Sequence, residues 1–222
     1  VSEVLGNLRT IPIGIEKESL EIATINLKDS YIYNITGEDV TSLPDFLEGI
    51  TKSIVKAPNT KCYIMDASNC LPSSPSIENV IYDSGMCKNV TQQIIDICNA
   101  KKANNTPDEV VCMIIGLNNL FQKMSPIEKG NLTMAIQNSS GFGTIRFIMV
   151  ETIDQIKSIS YEAWYKASID LSAGIWIGNG IANQFTLKVT TNSRVLRQEV
   201  APGFGYIIKK GKAALMKLMS DE

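Results

Sequence analysis

Between Tyr31 and Pro44 the residues YIYNITGEDVTSLP pass from an apolar run through a glycine turn into a helix-like stretch. A phosphate-binding loop of the frame G-x-x-x-x-G-K-[ST] occupies that kind of junction. Gly37 keeps the first glycine of the frame, but Ser42, Leu43 and Pro44 stand where the second glycine, the lysine and the hydroxyl residue belong. In such a loop, backbone N–H groups cradle the phosphates, the lysine bridges the β and γ oxygens, and the hydroxyl holds Mg²⁺. Leu43 offers no charge, which removes charge-assisted hydrogen bonds worth about 1.5–3 kcal/mol each. Pro44 offers neither hydroxyl nor N–H. Glu38 and Asp39 add two carboxylates near the place of a polyanion, where like charges repel. Thr41 or Ser42 can cap the helix that follows, Pro44 suits its first turn, and Ser42-x-x-Asp45 fits a capping box. The positive end of that helix is then answered from within rather than by phosphate. The same turn also fits an ordinary strand-to-helix connection of an α/β protein.

The second half of nucleotide chemistry needs acids at the end of a buried strand, where they hold Mg²⁺ and polarise water. The best strand for this, Val110–Ile115, runs into Gly116-Leu117-Asn118-Asn119 without a carboxylate. Asp66, after Cys62-Tyr63-Ile64-Met65, reads as the only acid at a central strand tip and as a structural one. Gly37, Glu38, Asp39, Thr41, Ser42, Leu43, Pro44, Gly116, Leu117 and Asn118 thus outline a nucleotide site whose chemistry is lost. No catalytic residue is expected, and neither ATP nor Mg²⁺ is expected as a cofactor. The chain has no histidine, which removes Ser-His-Asp and Cys-His catalysis. Its five cysteines form no C-x-x-C pair, so zinc sites of the usual kinds are not expected and reduced thiols are.

The elements that must position these residues alternate in type. Ile22–Leu27, Ser30–Ile35, Lys61–Met65, Asn79–Tyr82, Val110–Ile115 and Ile145–Val150 read as strands. Leu43, Phe46, Leu47, Ile50, Ile54 and Val55 line one helical face, and Val90–Ala103, Ile127–Gln137, Ile153–Ile159 and Tyr161–Ile169 read as further helices. The chain then becomes glycine-rich and β-like through Gly174–Gly180 and Phe185–Val189, and closes in a hairpin over Gly205–Met219. The pattern predicts one α/β domain over residues 1–222, with a largely parallel sheet and helices on both faces. With 44% hydrophobic and 20% charged residues, 222 residues suffice for a full core. A net charge of −2 draws the chain neither to nucleic acid nor to anionic lipid. The Lys209-Lys210-Gly211-Lys212 cluster is short enough for a solvated hairpin tip. The start at Val1 without Met suggests a domain cut from a larger protein.

With the motifs in place, the sequence resembles the C-terminal ATPase-like domain of the FtsK/SpoIIIE-type coupling protein of type VII secretion (EssC in Gram-positive systems, EccC in mycobacterial ones). The resemblance rests on Ile11-Pro12-Ile13-Gly14-Ile15, on Ile35-Thr36-Gly37-Glu38, and on Val110–Gly116 running into Leu117-Asn118-Asn119-Leu120. It rests also on Gly174-Ile175-Trp176-Ile177-Gly178-Asn179-Gly180-Ile181-Ala182-Asn183-Gln184, and on Ala201-Pro202-Gly203-Phe204-Gly205-Tyr206, where Phe204 replaces an Arg common in the family. It spans essentially the whole chain in order. It implies a P-loop NTPase-like (RecA/FtsK-like) fold with a C-terminal β-hairpin. It also implies a place as the last of several tandem domains of a membrane-anchored protein, on its cytoplasmic side in a bacterial cell. The partners implied are small helical WXG-type substrates with their C-terminal signals, and the adjacent ATPase domains. The function expected is silent recognition and regulation of export, with exposed aromatic anchors for helix-in-groove binding. Trp164 and Trp176 are the candidates, although core packing is the alternative for both. A weak nucleotide binder or residual ATPase is the rival reading.

Overall fold

The computed structural model describes residues 7–38, 43–71, 77–103 and 109–220. The strands in chain order are β1 (Ile11–Glu16), β2 (Ile22–Ile25), β3 (Ile32–Gly37), β4 (Thr60–Asp66), β5 (Val80–Ser84), β6 (Glu109–Ile115), β7 (Ile145–Thr152), β8 (Gly174–Ile177), β9 (Phe204–Lys209) and β10 (Lys212–Leu218). They form one ten-stranded sheet in the order β2-β1-β10-β9-β8-β3-β7-β6-β4-β5. The run from β8 to β5 is parallel throughout. The other four strands join it antiparallel. The residues of the parallel core are apolar on both faces because helices cover both. The expected C-terminal hairpin is β9–β10, closed by the two-residue loop Lys210-Gly211 with positive φ at both positions. Lys209, Lys210 and Lys212 are exposed there, as a solvated tip requires.

One face carries α1 (Leu43–Val55), which buries Leu43, Phe46, Leu47, Ile50 and Ile54 against β1 and β4. The other face carries α2 (Lys88–Ala103), α3 (Leu117–Lys123), α4 (Pro126–Gln137), α5 (Ser139–Phe142), α6 (Ile153–Ile159) and α7 (Ala163–Ser168). At the start of α4, Ser125 and Glu128 close a reciprocal capping box, with Pro126 in the first turn. A third cluster lies over β8 and β9, where Trp176, Tyr206 and Ile208 meet Ile181, Leu187 and Leu196, the last from α8 (Ser193–Leu196).

Two sequence expectations are corrected by this packing. Trp164 and Trp176 are not exposed anchors. Trp164 packs edge-on to Phe121 and Tyr165, and its indole N–H donates to Glu162 Oε2 at 2.6 Å. Trp176 is fully buried, and its N–H donates to the Asn179 carbonyl at 2.6 Å. Each indole thus finds an acceptor at its polar edge while the ring fills the core. Phe185–Val189, despite its β-like composition, is not a strand. Its backbone is held by the Gln184 side chain and by isolated hydrogen bonds such as Lys188 N–H to the Leu171 carbonyl.

Chain order makes β3 a turning point. From β3 the chain crosses by α1 on one face to β4, three strands away, whereas from β7 it crosses by α6 and α7 on the other face to β8. Connections leaving neighbouring strands β3 and β7 toward opposite faces open a crevice at their carboxyl ends, the usual ligand position of open α/β sheets.

Candidate functional site

A cleft of about 320 Å³ occupies that crevice. It is lined from the tips of β3, β6, β7 and β8, from the loop after β4, and from the start of α1. Ile35, Leu43, Ile115, Val150 and Ile177 make its apolar walls, and Thr36, Ser68, Cys70, Glu151 and Thr152 bring its polar atoms. None of the described lining residues is Lys or Arg.

Of the residues singled out in sequence, the structure brings Gly37, Leu43 and Gly116 to this cleft. Gly37 is the last residue of β3 rather than part of a loop. A β-carbon on it would stand 2.2 Å from the Ile177 carbonyl oxygen, so its smallness admits β8 alongside β3. Glu38 lays its carboxylate on Gly180 instead of lining the cleft. Leu43 and Pro44 open α1, with Asp45 in its first turn. Asp39, Thr41 and Ser42 lie outside the described residues.

Gly116 follows β6 in the left-handed region at φ +78°, and Ser68 Oγ lies 1.9 Å from where its β-carbon would be. A side chain at this position meets both the left-handed strain of about 1–2 kcal/mol and the serine hydroxyl. The tip of β6 is therefore closed to a metal-holding acid without rebuilding the loop after β4. Leu117 points into the core beneath. Asn118 uses its side chain on Gln155 Oε1 at 2.7 Å and its backbone N–H on Glu151.

Glu151 is the residue that sequence reasoning missed. Asp66 is not the only acid at a central strand tip, because β7 extends past Val150 through Glu151 to Thr152. The signal was an acid directly after a buried apolar run, discounted because the strand was ended two residues too early, at Val150. Glu151 pairs in register with Thr36, is only 7% exposed, and accepts the Asn118 N–H at 3.1 Å. Burial pushes its carboxyl up to about 7, while the backbone N–H groups of Asn118, Thr152 and Leu117 oppose the rise. Asp66, by contrast, is a fastener. Fully buried, it accepts the backbone N–H groups of Cys70 and Leu71 and the Tyr82 hydroxyl, which pins the loop that carries Ser68 and Cys70. Burial and then the Asp66 charge push the Cys70 thiol up to about 11, so it faces the cleft protonated.

A raised acid makes stability depend on pH with a definite sign. Between the ordinary value of 4.5 and about 7 the folded chain holds a proton on Glu151 that the unfolded chain has released. That contribution is complete below 4.5 and is lost as pH rises through about 7. Urea unfolding at pH 5.5 and pH 8 is expected to show a loss of about 1–3 kcal/mol attributable to this group, which Glu151→Gln removes. Equal pH slopes in the two proteins would contradict a buried, proton-holding Glu151.

The strand order, the α1 connection after β3 and the cleft at the carboxyl ends define an α/β domain of the P-loop ATPase-like fold. No protein-family model matches the sequence, and no curated protein does. Solved structures do match. Thermomonospora curvata EccC (ATPases 2 and 3), in complex with a signal sequence peptide, matches all of this chain and 42% of its own, at 16% identity and a TM-score of 0.75. EssC (ATPases 2 and 3) from Geobacillus thermodenitrificans matches all of this chain and 43% of its own, at 16% identity and a TM-score of 0.77. The conjugation coupling protein TcpA of pCW3, in monomer form with ATPγS, matches all of this chain and 69% of its own, at 11% identity and a TM-score of 0.69. The chain therefore spans less than half the length of the two secretion ATPase structures and resembles their ATPase domains in fold.

Proposed function

We propose that this chain is a catalytically silent ATPase-like domain of a type VII secretion coupling protein, acting in substrate recognition and in regulation of export. The observation that carries the reading is the cleft itself. Where a P-loop protein gathers lysine, hydroxyl and acids around phosphate, this cleft offers Leu43, the carboxylate of Glu151, and a Gly116 tip closed by Ser68. Its parent would be a larger multidomain protein of the bacterial cell membrane, with this domain on the cytoplasmic side and other ATPase domains beside it. Among the described residues no helix is long and apolar enough to cross a membrane, so anchoring would fall to other parts of that parent.

The partners proposed are small helical WXG-type substrates and their C-terminal signals, with no role for nucleic acid. The EccC structure with its signal sequence peptide supports a peptide-binding role for the same fold. With both tryptophans inside, the exposed apolar side chains are the better anchors. Ile127 and Met134 stand seven positions apart on α4, and Ile15, Leu20 and Ile22 cluster on the β1–β2 hairpin. Fluorescence anisotropy with a labelled C-terminal helical peptide of such a substrate tests this. Saturable binding is expected, weakened at least tenfold by Ile127→Asp with Met134→Asp or by Ile15→Asp with Ile22→Asp. No binding up to about 100 μM by a folded domain would set the recognition role aside. The second reading, a weak nucleotide binder, is favoured by one observation: the cleft lies at the switch point of a fold that TcpA shares in a structure with ATPγS.

A further inference from the structure

The formal charge of −2 averages over a chain whose signs are segregated. Between Leu171 and Ser220 the sequence carries Lys188, Arg194, Arg197, Lys209, Lys210 and Lys212, while Glu199 is the only acid there. The fold gathers these cations onto one surface. The stretch from Ile181 to Val200 lies over β8 and β9, held down by Ile181, Leu187 and Leu196 in the third cluster. Lys188, Arg194 and Arg197 are left on its outer side, and all three are exposed. The same stretch is tied to the β9–β10 tip. Thr190 N–H donates to the Gly211 carbonyl at 2.8 Å, and Ala213 N–H donates to Thr191 Oγ1 at 2.8 Å. Lys209, Lys210 and Lys212, exposed at that tip, thereby join the other three. None of the six is in an ion pair among the described residues. Of the acids nearby, Asp154 pairs with Lys157 at 3.1 Å, and Asp170, beside Lys209 and Lys210, accepts the Ser172 N–H and hydroxyl. Two large apolar side chains stand among the cations. Phe185 is 50% exposed with the Lys157 ammonium 6.0 Å from its ring centre, and Val195, 48% exposed, follows Arg194 on α8.

We propose that this face is a peripheral docking surface for an anionic lipid bilayer. The cations meet headgroup phosphates, and Phe185 and Val195 enter the boundary between headgroups and acyl chains. Like charges gathered without counter-charges repel one another, and a negatively charged surface relieves that repulsion. A duplex nucleic acid would answer the cations but would leave the aliphatic Val195 without an apolar partner, whereas a bilayer answers both kinds of side chain. The tip lies at the amino end of β8, because β9 runs antiparallel to it, so docking leaves the cleft at the carboxyl ends open. The contact is peripheral and is independent of whether the cleft accepts nucleotide.

The 222-residue chain is co-sedimented with vesicles of phosphatidylcholine alone and of phosphatidylcholine with about 30% phosphatidylglycerol. Separate arms measure its binding to a duplex DNA of about 20 base pairs and to polyglutamate. The result expected is binding to the phosphatidylglycerol vesicles at least tenfold tighter than to phosphatidylcholine, falling at least tenfold between about 0.05 and 0.5 M NaCl. Lys209→Glu with Lys210→Glu and Lys212→Glu is expected to weaken it at least tenfold. Phe185→Ser with Val195→Ser is expected to weaken it at least threefold while the salt dependence stays. Equal binding to the two kinds of vesicle, or binding to neither, overturns the proposal. Tighter binding to the DNA or to polyglutamate than to the phosphatidylglycerol vesicles also overturns it, and assigns the face to nucleic acid or to an acidic protein. These wild-type comparisons decide even where a substituted chain does not fold.

Discussion

Replacing Arg146 by Ala is expected to cost about 3–5 kcal/mol of stability, with the urea midpoint falling and the m-value unchanged. Arg146 is the second residue of β7 and is 2% exposed, so its guanidinium is desolvated and must be fully answered. The answer comes from several elements. Nε donates to the Leu27 carbonyl, one terminal nitrogen to Glu109 at the start of β6, and the other to the Gly143 carbonyl at 3.1 Å. The guanidinium also lies 5.5 Å from the Tyr31 ring centre, and Lys28 shares Glu109. Truncation removes all three donors at once and leaves the buried Leu27 carbonyl, the Gly143 carbonyl and the Glu109 carboxylate short of partners. These contacts tie the β2–β3 connection to the N-terminal edge of the parallel strands, the edge opposite the cleft. Arg146→Met, which keeps most of the volume, is expected to lose less than Arg146→Ala. A loss below about 1 kcal/mol for Arg146→Ala would place the cluster with exposed ion pairs instead.

Gly37→Ala is the second large effect expected, about 3 kcal/mol. The added methyl would stand 2.2 Å from the Ile177 carbonyl oxygen and 2.8 Å from the Ile177 nitrogen. Both are backbone atoms of a paired strand, so relief requires β3 and β8 to separate rather than a side chain to turn. Ile177 also lines the cleft, and the distortion would reach the site directly. The same glycine that suggests a phosphate loop in the sequence is thus accounted for by sheet packing alone. A neutral Gly37→Ala in urea unfolding would remove that explanation and return Gly37 to the loop reading.

Much of the sheet was legible because its central strands are apolar without interruption and therefore covered on both faces. Val110–Ile115 and Ile145–Val150 show this, and the spacing of Leu43, Phe46, Leu47, Ile50 and Ile54 marks α1 in the same way. Strand ends were less legible. Glu151 continues β7 with a charge, which in a sequence looks like the first loop residue, and only the N–H groups of Asn118, Thr152 and Leu117 make that position tolerable. The short helix α3 carries too few turns for a period to show. Phe185–Val189 has strand composition, yet its backbone partners come from the Gln184 side chain and the Leu171 carbonyl rather than from a neighbouring strand. The Arg146 cluster could not be read at all, since its partners lie 37 and 119 positions away. For the site, Leu43 and Gly116 were visible as residue types that bring neither a positive charge nor a carboxylate. The carboxylate that faces them was not, because strand order alone brings β7 between β3 and β6.

The central claim is that a cleft in the position of a nucleotide site no longer accepts a polyphosphate. Calorimetric titration of the chain with ATP and Mg²⁺ at pH 7.5 measures this directly. The account predicts no saturable heat corresponding to binding tighter than about 100 μM, equivalent to about −5.5 kcal/mol. A dissociation constant below that value, with the heat abolished by a substitution at Leu43 or Gly116, would contradict it.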